Sequence, residues 1–496
     1  MLAASAWLLY TRSLWIPYFA DDYVLLFDKP KQYVGYFWTH PIPDTYFYRP
    51  LQGTFSALMQ AQFGFNPFWL HAVHMALFGA LVVVVFCASL TLGLSLRGAI
   101  IAGILFFSSQ SNVFAVASCD QFSHLTATLF SFTGLWLLFR SLIRNGSRDA
   151  AASGRLLRLL SLCSLCIAVF AKESALASFI LALGIVVYAA RIRKPDDSVV
   201  NSVKGGFITF APYLAVAVFF LIMRFNAVPT MHTAPPGERY SVHLGSNVLV
   251  NIGLLMFSAL QSVSSVFIAL SAKSRNVPML LVAVLPMLGL ALVALLGTRQ
   301  LLHKQRRLVF SLIGCAIISM FPMALLNHVS ELCTYSIGPF VCIALGASTA
   351  ALVDVRENNR KLQRWVCLSV LAVWIATGIF SVTSKIELMR ASGERCETLL
   401  EQVSNYARHL PSNTHIVLRN LPAKATDYEY SIYKLRDFNV IEWGVNAVGL
   451  RSQRADITAE VVEWEQQPSI SDGSSELWLT LDINGNVVID DSMNRR

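Results

Sequence analysis

Charge is what this sequence has least of. Asp, Glu, Lys and Arg make up 14% of its 496 residues, against roughly 25% in soluble domains. Hydrophobic residues make up 55%, and the mean hydropathy is +0.54. A soluble globular chain is excluded, and the long apolar runs call for an integral membrane protein. Cysteine forms no framework either. Cys87, Cys163, Cys166, Cys315 and Cys342 lie inside apolar runs, where a thiol packs as a small core residue, and Cys396 stands alone in a polar tail. There is no glycine-rich phosphate loop, no zinc spacing, no internal repeat and no low-complexity tract, so nothing points to a nucleotide-driven or repeat-built machine. The first apolar stretch has no basic region before it and is interrupted by Arg12. It reads as a short first spanning helix, not a cleavable signal.

What charge there is has a pattern. The net +9 could suggest nucleic acid. The basic residues, however, cluster in short loops between apolar segments, as the positive-inside rule requires, so no nucleic-acid partner is expected. Candidate spans lie at about 2–18, 69–94, 98–117, 121–141, 156–171, 174–190, 206–223, 246–270, 277–297, 307–326, 333–354 and 364–383. Four basic loops, around Arg144, Arg193, Lys304 and Arg360, are assigned to the cytoplasm. The loop at 19–68 and the turns near Asp120, Lys172 and Glu331 then face outward. The loop at 224–245 is outward and that at 299–307 inward, so only one of the two segments between them crosses. Segment 246–270 is weakened by Asn251, Ser258, Gln261, Ser262, Ser264 and Ser265. It reads as a re-entrant or interfacial helix. The fold class expected is an α-helical polytopic membrane protein of about eleven crossings, residues 1–384, followed by a small extracytoplasmic α+β domain, residues 385–496.

The tail opens with helical spacing over 385–408. Strand-like runs follow at His415–Leu418, Tyr430–Tyr433, Glu460–Trp464, Leu477–Leu481 and Val487–Ile489. The Asn-Gly turn in Asp482–Asn486 makes the last two a hairpin.

The chain is organised around its first outward loop. Asp21 and Asp22 stand where the first apolar segment ends, and Tyr48-Arg49-Pro50-Leu51 returns in the same loop. Carboxylates at a membrane edge are costly to desolvate, so they are either solvated or at work. His71 and His74 open the next helix. Asp120 and His124, then Lys172 and Glu173, then Glu331 and Tyr335 occupy successive outward turns, and Arg239 lies in the long loop. Inward turns carry mainly Arg and Lys, which topology alone explains; the outward ones gather titratable groups at one membrane level. Such a set suits transfer from a lipid phosphate. A carboxylate deprotonates an acceptor hydroxyl, while Arg49, Lys172 and Arg239 are candidates to hold the leaving phosphate. His71, His74, Asp120, His124, Glu173, Glu331 and Tyr335 are candidates to contact substrate.

Structural roles stay open for each of these. A histidine can cap an interfacial helix, Lys172–Glu173 can be an internal ion pair, Arg49 can snorkel, Asp120 and His124 can be solvated turn residues, and Tyr is favoured at interfaces. A transporter or flippase for a lipid-linked saccharide is the alternative function. The polar groups gather at one face, and no broken midplane helices or repeats are evident.

Asp21-Asp22, Tyr48-Arg49-Pro50-Leu51, Trp69-Leu70-His71-Ala72-Val73-His74, Ala171-Lys172-Glu173, Phe321-Pro322 and Glu331-Leu332-Cys333-Thr334-Tyr335 occur in this order. In this the sequence resembles the GT-C superfamily of membrane glycosyltransferases. The nearest branch is that of protein O-mannosyltransferases and their repeat-containing and bacterial relatives, over roughly residues 1 to 383. The resemblance implies inverting transfer of a sugar from a polyprenyl-phosphate donor on the non-cytoplasmic face. It also implies a catalytic base at the first acidic position, Asp21, a second acidic position at Asp22, and phosphate contacts from Arg49 and Lys172. Adjacent side chains point apart, so Asp21 is preferred as the base, while Asp22 caps the following turn or binds water or a divalent cation. No cofactor is otherwise called for. The partners are the bilayer, the lipid-linked donor, and an acceptor that is a protein, a lipid or a glycan. The location expected is a bacterial inner membrane.

Overall fold

A peptide group in hydrocarbon has no water to bond with, so a long apolar segment closes its hydrogen bonds within itself and becomes a helix. The computed structural model describes the chain apart from residues 28, 44, 46, 144–147, 194–198, 229–240, 265–266, 269–270, 273, 328–329, 355–360, 421–444, 453, 455, 463–474, 483–485 and 491–496. Its described helices are α1 (Leu2–Tyr10), α2 (Pro30–Tyr33), α3 (Pro50–Phe63), α4 (Phe68–Thr91), α5 (Leu96–Ser108), α6 (Val113–Ala117), α7 (Phe122–Ile143) and α8 (Arg148–Ala171). After them come α9 (Ala177–Arg193), α10 (Val199–Ala227), α11 (Ser246–Leu260), α12 (Val277–Gln300), α13 (His303–Ala324), α14 (Gly338–Val353), α15 (Lys361–Arg408) and α16 (Val445–Ser452). Among the described residues eight helices are long and apolar enough to cross a bilayer. The count is nine if the chain through α5 and α6, bent by 52°, is one broken span. The chain is an integral membrane protein.

The eleven crossings expected from charge also draw on α1 and α14, which are shorter, at 9 and 16 residues. Helix α11 has 15 residues. At 1.5 Å per residue it reaches about 22 Å, short of the roughly 30 Å hydrocarbon core. In length it stands beside α14 at 16 residues, so length does not separate the helix expected not to cross from one expected to cross. Its Asn251 Nδ2 donates to the carbonyls of Ala324 (3.0 Å) and Leu326 (2.8 Å), pinning α11 to the end of α13.

The bundle closes around α14, which is buried on nearly every face. Its neighbours approach so closely that side chains are excluded at the contacts. A Cβ at Gly346 would sit 2.6 Å from the Gly98 carbonyl oxygen, and one at Gly297 would run into that of Ser348. Small residues at crossings are how helices gain contact where no hydrophobic force drives them together. The perimeter is apolar instead, with Ile208, Leu249 and Phe380 at 78%, 74% and 67% exposure, a surface suited to lipid.

Helix α15 runs for 48 residues without a break, about 72 Å at the helical rise. The expected domain boundary at 384/385 therefore falls inside one helix, with no linker. Ile386, Met389, Leu399, Leu400 and Val403 are all buried along its second half. Beyond it stands a sheet of order β2-β1-β3-β4. Strand β1 (Thr414–Arg419) lies between parallel β2 (Thr458–Val462) and β3 (Ser475–Leu481), and β4 (Val487–Ile489) pairs antiparallel with β3 as the expected hairpin partner. The run Tyr430–Tyr433 lies outside the described residues.

Candidate active site

The acid pair sits on a 3-10 turn, Ala20–Leu25. Ala20 has φ +47°, the left-handed region that costs a residue with a Cβ about 1 kcal/mol or more. The turn splits the pair. Asp21 is exposed and Asp22 is 2% exposed. Asp22 Oδ2 accepts from the N–H of Phe19 (3.2 Å), closing its own turn, and its Oδ1 accepts from the N–H of Asp120 (2.9 Å). Asp22 thus ties the first loop to the turn that carries Asp120, 98 residues away.

Ser118 Oγ lies 3.2 Å from Asp22 Oδ1 and 2.6 Å from Asp120 Oδ1. One hydroxyl carries one proton, so the two carboxyls share it imperfectly. Burial pushes the Asp22 carboxyl well above the usual carboxylate range, and the Asp120 charge pushes the same way; the bonds from Asp120, Phe19 and Ser118 oppose this. Gln121 Nε2 bonds the other Asp120 oxygen, and Gln52 Nε2, on the first turn of α3, bonds the Asp120 carbonyl.

The cations come from the far side of the same cluster. Glu173 Oε2 is 3.1 Å from Arg49 Nε, and its Oε1 accepts from the Tyr48 N–H at 3.1 Å. The Arg49 guanidinium also lies over the Phe47 ring, 4.1 Å from its centre. Lys172 is 5% exposed, and its Nζ is hydrogen-bonded to His124 Nε2. Burial, and then the neighbouring Arg49 guanidinium, hold Lys172 well below the usual lysine range; Glu173, Cys333 and Asp120 act the other way. The Asp120 carboxylate in turn feels the charges of Asp21, Lys172 and Arg49. Asp21, Asp22, Arg49, Asp120, His124, Lys172 and Glu173 therefore form one patch, drawn from four separate stretches of sequence.

Other candidate residues lie elsewhere. His71 is fully buried, with Nε2 3.0 Å from the Ile16 carbonyl and 3.4 Å from Cys119 Sγ; it ties down the segment entering the acid-pair turn. His74 and Tyr335 are also fully buried, beside Phe122 and Phe106 respectively. These three are packed into the core, away from the open side of the patch. Glu331 pairs with Lys385 Nζ and accepts from Ser264 Oγ at 3.2 Å, while Lys385 also donates to Gln110 Oε1 at 2.5 Å. Glu331 thus belongs to a second polar knot, between α15 and the turn before α14. Arg239 lies outside the described residues.

Ser118, Gln52 and Lys385 were not singled out from sequence, while Gln121 was noted with Asp120 and His124 at the same outward turn. Only Lys385 carried a signal, as a lone cation just past an apolar run. Among the described residues no group of three or more His, Cys, Asp or Glu side chains gathers as a metal site.

No family model matches this sequence, and no curated protein does. Solved structures match its fold. ArnT from Cupriavidus metallidurans, crystallised bound to undecaprenyl phosphate, superposes with a TM-score of 0.50 at 11% identity, over 97% of this chain and 92% of that one. Its apo state gives 0.50 at 12% identity over the same shares. The Archaeoglobus fulgidus oligosaccharyltransferase, tethered to an acceptor peptide, gives 0.47 at 11% identity over 92% of this chain and 63% of that one. At such identities the likeness is one of fold: the chain shares the fold of ArnT over nearly its whole length.

Proposed function

We propose that this protein is a membrane glycosyltransferase that moves a sugar, with inversion, from a polyprenyl-phosphate donor to an acceptor hydroxyl. The observation that carries the proposal is the division of labour in the patch. One carboxylate, Asp21, is open to solvent, while Arg49 and Lys172 are held at low exposure, and the Asp120 carboxyl feels the charges of all three. The likeness to ArnT, a protein crystallised with undecaprenyl phosphate, supports a lipid-phosphate donor.

The step follows from these positions. Asp21 takes the proton of the acceptor hydroxyl as its oxygen attacks the anomeric carbon. The bond from that carbon to the phosphate oxygen breaks on the opposite face, and the phosphate leaves with the electron pair. Arg49 and Lys172 neutralise the charge that develops on it. A phosphate arriving beside Lys172 opposes the downward shift that burial and Arg49 impose on it. Glu173 fixes the Arg49 fork, and Asp22 holds the loop that presents Asp21. In this reading the patch and the C-terminal domain face the non-cytoplasmic side of a bacterial inner membrane. The acceptor is a hydroxyl of a protein, lipid or cell-envelope glycan, and a divalent cation at the acid pair is compatible with its oxygen donors.

The test is sugar transfer by purified protein from an undecaprenyl-phosphoryl sugar. Asp21→Asn keeps shape and loses basicity, so turnover should fall by about 10²–10⁴ with the protein still folded. Wild-type turnover in both Asp21→Asn and Asp22→Asn would remove the loop from the reaction.

A further inference from the structure

Between Arg49 and Arg97 the sequence has no Asp, Glu, Lys or Arg. Helix α4 accounts for part of that run, because a span excludes charge. Helix α3 does not span. It has 14 residues, about 21 Å at the helical rise, against a hydrocarbon core of roughly 30 Å.

Helix α3 is also amphipathic in the sense opposite to a helix in water. Gln52, Ser56 and Gln60, at i, i+4 and i+8, are all buried. Gln52 Nε2 bonds the Asp120 carbonyl, and Gln60 accepts from the Phe27 N–H (2.9 Å) and donates to the Phe27 carbonyl (2.7 Å). The polar stripe therefore faces the loop of the acid pair. The opposite side presents Leu58, 49% exposed, flanked by uncharged Thr54 and Gln62. A helix beside water turns its charged and polar face outward instead.

The chain leaves α3 through Gly64, at φ +63°, and enters α4 after Pro67. This elbow and the turn ending at Trp15 share one aromatic surface. Phe63 stacks on Trp69 with ring centres 4.9 Å apart, Trp69 meets Phe68 edge-on at 5.2 Å, and Phe68 meets Trp15 at 6.0 Å. Phe65, Trp69 and Trp15 are 52%, 44% and 60% exposed. Tryptophan joins an apolar body to a polar N–H, which suits it to the boundary between hydrocarbon and headgroups. The surface lies at the end of a span, where that boundary falls.

We infer that α3 is an interfacial helix, which lays Leu58, Phe63, Phe65 and Trp69, together with Trp15, into the headgroup region of the leaflet on the side of the acid pair. The occupant of this surface is lipid. The surface continues that of a span, and it carries no charge for water to solvate. Arg49 is the N-cap of α3, so the helix that rests in the interface also holds Arg49 at the depth of the lipid phosphates. The inference follows from this surface alone and does not depend on the transferase reading.

The test is the depth of two tryptophans in the full chain, labelled with 5-fluorotryptophan and held in lipid nanodiscs. Trp69→Phe and Trp15→Phe identify the two fluorine resonances. Dissolved oxygen concentrates in hydrocarbon and a nickel chelate stays in water, so both resonances should be broadened more by oxygen than by the chelate. Discs of zwitterionic and of anionic lipid should give the same ratio, because no charge on the surface draws it down. Leu58→Glu should move Trp69 toward the chelate, and Gln62→Ala, on the same side of α3, should leave it in place. Broadening of Trp69 mainly by the chelate in the wild-type chain would put the elbow in water, and broadening by neither reagent would mean that protein covers it; either overturns the inference. A preference for oxygen in anionic discs alone would give the anchoring to charge and overturn it as well.

Discussion

Replacing Asp22 by alanine removes an acceptor on which two backbone N–H groups depend, the buried one of Phe19 and the part-buried one of Asp120. An orphaned buried donor costs about 1–3 kcal/mol, so the loss should be about 2–6 kcal/mol, toward the lower end if water enters the vacated space. Asp22→Asn keeps the shape but turns an N–H donor toward one of the two, so it should fall between wild type and alanine. Asp21 is exposed; Asp21→Asn should therefore leave stability within about 0.5 kcal/mol. Thermal unfolding of the detergent-purified protein gives the order: wild type and Asp21→Asn together, then Asp22→Asn, then Asp22→Ala. Burial raises the Asp22 pKa, so the fold disfavours the ionised form. Stability contributed by this group is full at low pH and declines as pH rises from the ordinary carboxylate range through the raised value, a slope that Asp22→Asn should lack. Identical melting of Asp21→Asn and Asp22→Ala would refute the assignment of Asp22 as the strut of the loop.

Glu173→Gln keeps a carbonyl for the Tyr48 N–H but loses the charge that holds Arg49 at 3.1 Å. KM for the lipid donor should rise several-fold with kcat changed less, and a fall in kcat alone would place Glu173 in the chemical step instead. Reporter fusions after residue 384 and within 299–306 should report opposite sides of the membrane, and the same side for both would sink the count of about eleven crossings.

The apolar spans were legible because their signal is long and redundant. Twenty apolar residues state a helix many times over, and the polar residues within 246–270 mark it as the segment expected not to cross. The patch was legible only as a level in the membrane. Nothing local links Arg49 to Glu173, which lie 124 residues apart, or Asp22 to Asp120; packing alone makes those contacts. Nor did polarity reveal direction. His71 and His74, at i and i+3 on α4, share one face, and that face turned out to be the core, where a neutral imidazole is tolerated.

The boundary between membrane part and tail was drawn from a change in polarity, but helical hydrogen bonds are indifferent to the polarity of the side chains they carry. Helix α15 continues through the change, and this puts the tail in mechanical contact with the site. Gly393 lies so close to Pro17 that a Cβ would be 2.6 Å from the Pro17 carbonyl oxygen. Cys396 Sγ is 3.6 Å from Tyr23 Oη, on the acid-pair turn itself, and Glu387 pairs with Arg12 at 2.6 Å, just before that turn. Lys385, on the same helix, grips Gln110 and Glu331. One unbroken helix thus has the sheet beyond one end and touches, along its length, the turn that presents Asp21.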